Sequence, residues 1–444
     1  MIAAHDEASG ASFARTLYSI GWCLATPLVI VYLLWRSRRQ PAYRRHWPER
    51  WGLQRRRRDD APLVWVHAVS VGETRAAQPL VAALLARDPR CRVLLTHMTP
   101  TGREAGAELL VARHGDRVVQ AYLPYDYPFA PRRFLAAWRP RAGILMETEL
   151  WPNLCAAAAR AGVPLALVNA RLSEKSLRKG LRWSRVLAPA LRSLSLVVAQ
   201  TPADARRIRS LAPVDVTVAG NMKFDVAPAP AQVERGRAWR ARVGARAVLL
   251  AASTRDGEEA LLLDAWTALR ARSPEPPLLV IVPRHPQRFE EVAILVQRRG
   301  LRLGRRTGFD ATAPAGAHDP GGADVLLGDS MGEMFAYYAM ADVAIIGGSL
   351  LPFGGQNLIE ACAAGVPVVL GQHTYNFADA AEQAIGAGAA RRVPDAAGAL
   401  SAALELLADA PGRRQAAERA ARFAAEHRGA TQRTMRAIEP LLVG

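Results

Sequence analysis

Leu63-Val64-Trp65-Val66-His67-Ala68-Val69-Ser70-Val71-Gly72-Glu73-Thr74-Arg75 is the stretch on which the fold class turns. The nearly unbroken apolar run from Leu63 to Val69 reads as a strand buried on both faces, because a half-exposed strand would alternate with polar residues. It ends in Ser-Val-Gly-Glu-Thr and passes straight into the Ala/Leu-rich segment Arg75 to Leu85, which reads as a helix. Strand, polar turn and helix in that order open a βαβ unit, and so a parallel sheet.

Outward from this point the same alternation recurs. Apolar runs at Val93 to Thr96, Ala142 to Met146, Leu165 to Asn169 and Leu196 to Gln200 predict further strands, and Leu154 to Arg160 predicts a helix closed by Gly162. After Asp225 comes Val-Ala-Pro-Ala-Pro-Ala, a segment without periodicity that reads as an interdomain linker. The alternation restarts at Ala247 to Ala252 and continues at Leu278 to Val282, Val325 to Leu327, Val343 to Ile346 and Val366 to Leu370. The pattern predicts two doubly wound α/β domains, residues 41–227 and 228–444, meeting across a cleft, with an Ala/Arg-rich helix from about Gly412.

Thr16 to Trp35 carries no formal charge over twenty residues, about the length needed to cross a hydrocarbon core as a helix. Arg15 alone precedes it closely, while Arg36, Arg38, Arg39, Arg44 and Arg45 follow it, an asymmetry that predicts a membrane anchor over residues 1–40 with the rest of the chain in the cytoplasm. A cleaved signal peptide would need a basic start and a small-residue cleavage site, and neither is present. A buried helix of a globular domain is the competing reading. The whole chain of 444 residues has 58 Lys and Arg against 40 Asp and Glu, a net +18 that favours a polyanionic partner. Nucleic acid is disfavoured among such partners, since aromatic content is 7% and no recognition motif occurs. Cys23, Cys91, Cys155 and Cys362 lie far apart, without metal or disulfide spacing.

In doubly wound domains ligands collect beyond the carboxyl ends of the strands. Glu73 there can take a proton from a substrate hydroxyl, or merely complement the dipole of its helix. Glu147 and Glu149 stand two residues apart beyond the end of the strand, and one of the two reads as structural. Lys223, in Asn221-Met222-Lys223-Phe224-Asp225, either reaches an anion or is a solvated surface lysine. In the second half, Ser253-Thr254-Arg255 and Pro283-Arg284-His285 place hydroxyls and an arginine for phosphate oxygens. Met331, Gly332 and Glu333 precede a helix, although Ser330 with Glu333 also spells a capping box. Gly354-Gly355-Gln356-Asn357-Leu358-Ile359-Glu360 forms a Gly-rich entry to a helix, suited to phosphate on backbone N–H groups. Neither a P-loop nor a dinucleotide fingerprint occurs.

Trp65-Val-His-Ala-Val-Ser-Val-Gly-Glu-Thr, Met98-Thr-Pro-Thr-Gly, Tyr122-Leu-Pro-Tyr-Asp, Met146-Glu-Thr-Glu-Leu-Trp-Pro-Asn, Val282-Pro-Arg-His-Pro and Met331-Gly-Glu-Met together resemble the 3-deoxy-D-manno-octulosonic acid (Kdo) transferases. The resemblance implies a GT-B fold, CMP-Kdo as donor, a lipid A precursor as acceptor, inner membrane lipids as neighbours, and neither metal nor cofactor. It implies that Glu73 is the proton acceptor, that Glu147 and Lys223 stabilise the transition state, and that Pro283, Arg284, Met331 to Glu333 and Asn357 to Glu360 bind CMP. Gln356 and Leu358-Ile359 depart from the usual His and Pro-Leu of that motif. A sugar-nucleotide epimerase would share the fold but needs no anchor.

Overall fold

The computed structural model describes residues 2–57, 59–225, 228–270, 275–309 and 321–443. Val226 and Ala227 of the expected linker lie outside the described residues. Among those described, fourteen strands form two parallel seven-stranded sheets. The first contains β1 (Leu63–His67), β2 (Arg92–His97), β3 (Val118–Tyr122), β4 (Ala142–Met146), β5 (Leu165–Ala170), β6 (Leu196–Ala199) and β7 (Val216–Val218), in the order β3-β2-β1-β4-β5-β6-β7. The second contains β8 (Val248–Thr254), β9 (Leu278–Pro283), β10 (Leu303–Arg305), β11 (Val325–Leu327), β12 (Val343–Ile346), β13 (Val368–Leu370) and β14 (Ala390–Arg392), in the order β10-β11-β9-β8-β12-β13-β14.

Side-chain alternation divides the first sheet's core in two. Val64, Val66, Ile144 and Met146 pack with the Val71–Arg87 helix on one face, and Trp65, Leu94, Leu145 and Leu167 pack with the Pro152–Arg160 helix on the other. Gly143 is required between them, because a Cβ there would stand 2.6 Å from the Trp65 ring. Four strands lack the continuous apolar run by which the others are legible: β3, β7, β10 and β14. All four are sheet edges, where Gln120, Thr217, Arg305 and Arg391 are partly or fully exposed.

The chain packs as two units, Met1–Asp225 with Gly429–Gly444, and Val226–Arg428. The break after Asp225 falls at the Pro/Ala segment, but the last residues differ from a continuous 228–444 domain. The Ala410–Glu426 helix stays in unit 2, whereas Gly429 turns at φ +86° and the Ala430–Leu442 helix buries Ile438 and Leu442 in the core of unit 1. Asp225 fixes this return, its carboxylate accepting from Gly429 N at 2.6 Å, Ala430 N at 3.2 Å and Thr431 N. The N-terminal helix runs from Ile2 to Arg39, and its Ser12–Arg38 portion is long and apolar enough to cross a membrane.

Candidate active site

In unit 1 the chain winds outward from β1 through β2 to β3 on one side and from β4 to β7 on the other, so the switch point lies between β1 and β4. Glu73 follows β1 and Glu147 follows β4. Ser70 caps the Val71–Arg87 helix, accepting from Glu73 N at 3.4 Å and donating from Oγ to Glu73 Oε1 at 3.1 Å. Val69 N donates to Glu73 Oε2 at 2.8 Å. Glu73 thus occupies the acidic position of a reciprocal cap. Burial nevertheless pushes its carboxyl from the ordinary 4.5 up to about 7; Glu147 and Glu149 add to the rise, while the Val69 and Ser70 hydrogen bonds oppose it.

The strand stops at Met146, so alternation does not govern the pair that follows. Glu147 takes a left-handed backbone at φ +57°, uncommon for a residue with a side chain, and sets its carboxylate 2.9 Å from Lys223 Nζ. That oxygen is buried and makes the ion pair by distance without hydrogen-bond alignment. Glu149 is held elsewhere, its Oε2 accepting from Trp151 Nε1 at 2.8 Å and standing 3.8 Å from His67 Nε2. Lys223 owes its place to Asn169, also left-handed at φ +51°, whose Oδ1 accepts from Met222 N at 3.0 Å and anchors the Met222–Phe224 turn. The importance of Asn169 is visible only in three dimensions, since nothing in a strand-terminal Asn announces which turn it will hold.

In unit 2 the switch point lies between β8 and β12. Pro283 ends β9 and is buried, and Arg284 N donates to Thr254 O at 2.9 Å. Burial pushes the exposed-rim His285 down, with repulsion from Arg255, Arg284 and Arg288 adding to it. Three arginines thus gather at this corner beyond β8 and β9, and Arg288 among them is paired with Asp256, Glu259 and Glu291. Glu333 is neutralised within the protein: its carboxylate accepts from Arg235, from Arg306 at 2.9 Å and from Ser330 Oγ at 2.5 Å. Burial works against its ionised form, but these donors outweigh burial and hold it below the usual range. The Ser330–Glu333 contact is not the expected capping box, because Gly332 at φ +77° delays the helix to Met334–Met340. Met331 and Gly332 are exposed on that turn.

Asn357 caps the Leu358–Ala363 helix, accepting from Ile359 N at 3.1 Å and donating to Glu360 Oε1 at 3.0 Å. The Leu358 and Ile359 side chains are buried in the core, so these two can offer a ligand only backbone. One residue that sequence reasoning missed organises the whole corner. Glu258, fully buried, accepts from Arg255 N at 2.8 Å, Gly348 N at 2.6 Å, Leu350 N at 3.0 Å and Leu351 N at 3.3 Å, tying the loop after β8 to the loop after β12. An acidic residue in a helix's first turn is too common a sequence feature to have singled it out. Gly347 in the same loop has no room for a Cβ, which would lie 2.4 Å from Ser253 O.

Residues 45–226 match the family described as 3-Deoxy-D-manno-octulosonic-acid transferase (kdotransferase). A 3-deoxy-D-manno-octulosonic acid transferase of Bordetella pertussis is 51% identical over 440 residues, 96% of this chain and 99% of that protein. Among solved structures, a glycosyltransferase from Rickettsia africae matches with a TM-score of 0.54 over 87% of this chain and 100% of its own, at 12% identity. A UDP-GlcNAc 2-epimerase from Neisseria meningitidis matches equally well, at 0.54 over 85% of this chain and 100% of its own, at 14% identity. At such identities the two structures speak for the fold alone and do not separate transferase from epimerase. The Bordetella relative does.

Proposed function

The chain belongs to the 3-deoxy-D-manno-octulosonic acid transferase family, and from that premise we propose that it moves Kdo from CMP-Kdo onto the disaccharide precursor of lipid A, lipid IVA. Its two Rossmann-like units are of the GT-B type. In this reading unit 2 binds the donor through Arg284, the Met331–Glu333 turn and the Asn357–Glu360 helix entry. Unit 1 supplies Glu73, which takes the proton from the acceptor hydroxyl as its oxygen bonds to the anomeric carbon of Kdo and the bond to the CMP phosphate breaks. Lys223, paired with Glu147, stabilises the transition state, and Arg284 offsets the negative charge of the donor's phosphate. The reaction proceeds without a metal, at the cytoplasmic face of the inner membrane.

The observation that carries this reading is the Glu73 carboxyl at the switch point of unit 1, raised to about 7 by burial and by two neighbouring carboxylates. A base in that range is ionised often enough at neutral pH to act and basic enough to hold the proton it takes. Incubating the protein with CMP-Kdo and lipid IVA, followed by mass spectrometry of the lipid, tests the activity. Product heavier by one or more Kdo residues supports it, and release of CMP with the lipid unchanged contradicts it.

Arg284→Lys keeps the charge but loses the planar guanidinium fork. CMP affinity measured by calorimetry is expected to fall by roughly tenfold, since a bidentate contact to phosphate becomes a single one. Unchanged affinity and turnover would remove Arg284 from the donor site.

A further inference from the structure

The N-terminal helix has two opposite faces, each with its own environment. Ser19, Trp22, Thr26, Val29, Leu33 and Ser37 recur every three or four residues and dock on unit 1. Ser19 Oγ exchanges hydrogen bonds with the Asn153 amide at 3.0–3.2 Å, Thr26 Oγ1 lies 2.9 Å from Tyr127 Oη, and the Trp22 ring stacks on Tyr125 at 6.2 Å. On the other side Phe13, Leu17, Ile20, Leu24, Leu28, Val31 and Trp35 form an unbroken apolar stripe, Leu24 and Leu28 being 75% and 73% exposed. The stripe runs for roughly 33 Å at the helical rise per residue.

These two faces explain why the sequence suits both an anchor and a buried core helix. A helix apolar all round is one with no water on either side. Here one side meets protein. A bilayer-spanning orientation would surround the helix with hydrocarbon and draw in the flank of unit 1 that is docked along it, including the exposed Arg132 and Arg160.

The same flank carries a cavity of ≈ 270 Å³ where the helix meets unit 1, lined by Arg15 and Arg160 together with Pro152, Ala156, Val186 and Ala190. Burial and the nearby Arg15 and Arg132 guanidiniums all work against the charge on Arg160. Among the described residues none of these three arginines has a carboxylate partner in hydrogen-bond or ion-pair range. Crowded cations beside an apolar hollow suit a molecule that has an anionic head and an apolar body. Arg36, Arg38, Arg44 and Arg45 continue the positive charge at the far end of the stripe.

We propose that the N-terminal helix lies in the plane of an anionic phospholipid leaflet, docked on unit 1 by one face and immersed through the other, with a lipid phosphate held at the Arg15–Arg160 cavity. The membrane contact is then monotopic, and the N-terminus stays on the same side of the bilayer as both units.

Topology decides the first half. The full-length protein bearing a protease site at its N-terminus is placed in sealed membrane vesicles of known orientation. Cleavage of the site from the side on which unit 2 is digested supports the in-plane helix, and cleavage only from the opposite side overturns it. Sedimentation with vesicles tests the stripe. Leu24→Glu with Leu28→Glu should lower binding by ~10-fold or more, since an in-plane helix is held by its immersed apolar area. Both side chains are exposed, so circular dichroism and melting temperature should be unchanged, and undiminished binding by the folded variant overturns the proposal. For the cavity, Arg15→Gln with Arg160→Gln should abolish the preference for phosphatidylglycerol over phosphatidylcholine vesicles while binding to the latter persists. A preference that survives the double change, or one that inorganic phosphate abolishes in the unmodified protein, removes the lipid from the cavity.

Discussion

Glu73→Gln is expected to lower the single-turnover transfer rate by ~10²-fold or more, with CMP affinity unmoved, because the amide keeps the shape of the side chain and loses its basicity. The stability of the variant separates this from a role in capping. The folded carboxyl titrates at about 7 against an ordinary 4.5, so between those values the folded chain binds more protons than the unfolded chain. Whatever stability this group contributes is present below about 4.5 and is lost as pH rises toward 7. A neutral Gln has no such slope. At pH values above 7 the variant should therefore melt no lower than the parent, since burying the ionised carboxylate costs the parent stability there. A residue that served only the helix dipole would instead lose ~0.3–1 kcal/mol on the same change and leave turnover intact.

Glu258→Ala should be the most destabilising single change in unit 2. Its buried carboxylate accepts from four backbone N–H groups across two loops, and alanine would leave all four facing a void. Stranding even part of such a set costs about 3–5 kcal/mol, by analogy with removal of one member of a buried charged network. For a unit of this size that corresponds to a fall in melting temperature of roughly 6–20 °C. Glu258→Gln should lie between, because one amide oxygen still accepts while the NH₂ group meets N–H donors. Calorimetry of the three proteins gives the order, and CMP affinity should fall alongside stability as the Gly348–Leu351 loop loosens. An alanine variant that melts with the parent would show that water or other groups satisfy these donors.

The interior of the fold was readable because central strands of a parallel sheet must be apolar on both faces, and every central strand has such a run. The edges were not, since Arg391 and Thr217 can stay solvated where no neighbouring strand covers them. The Ala430–Leu442 helix is amphipathic in sequence, but nothing local says that its apolar face belongs to unit 1. That depends on Asp225, two hundred residues earlier, accepting from its first N–H groups. Glu73, Glu147 and Lys223 were singled out as candidates by position and resemblance, and the structure adds how each is held locally. Glu147 and Asn169 adopt left-handed backbones that no composition signals, and such strain gathers where geometry matters for function. Glu258 went unnoticed because its importance lies entirely in what it accepts.

The pH dependence of single-turnover transfer, measured with CMP-Kdo and lipid acceptor saturating, tests the role of Glu73 most directly. A base at the Glu73 position predicts a rate that rises with pH and levels off above an inflection near 7, and a Glu73→Gln enzyme without that inflection. A parent rate that is flat from acidic to alkaline pH, or an inflection that survives in Glu73→Gln, would contradict it.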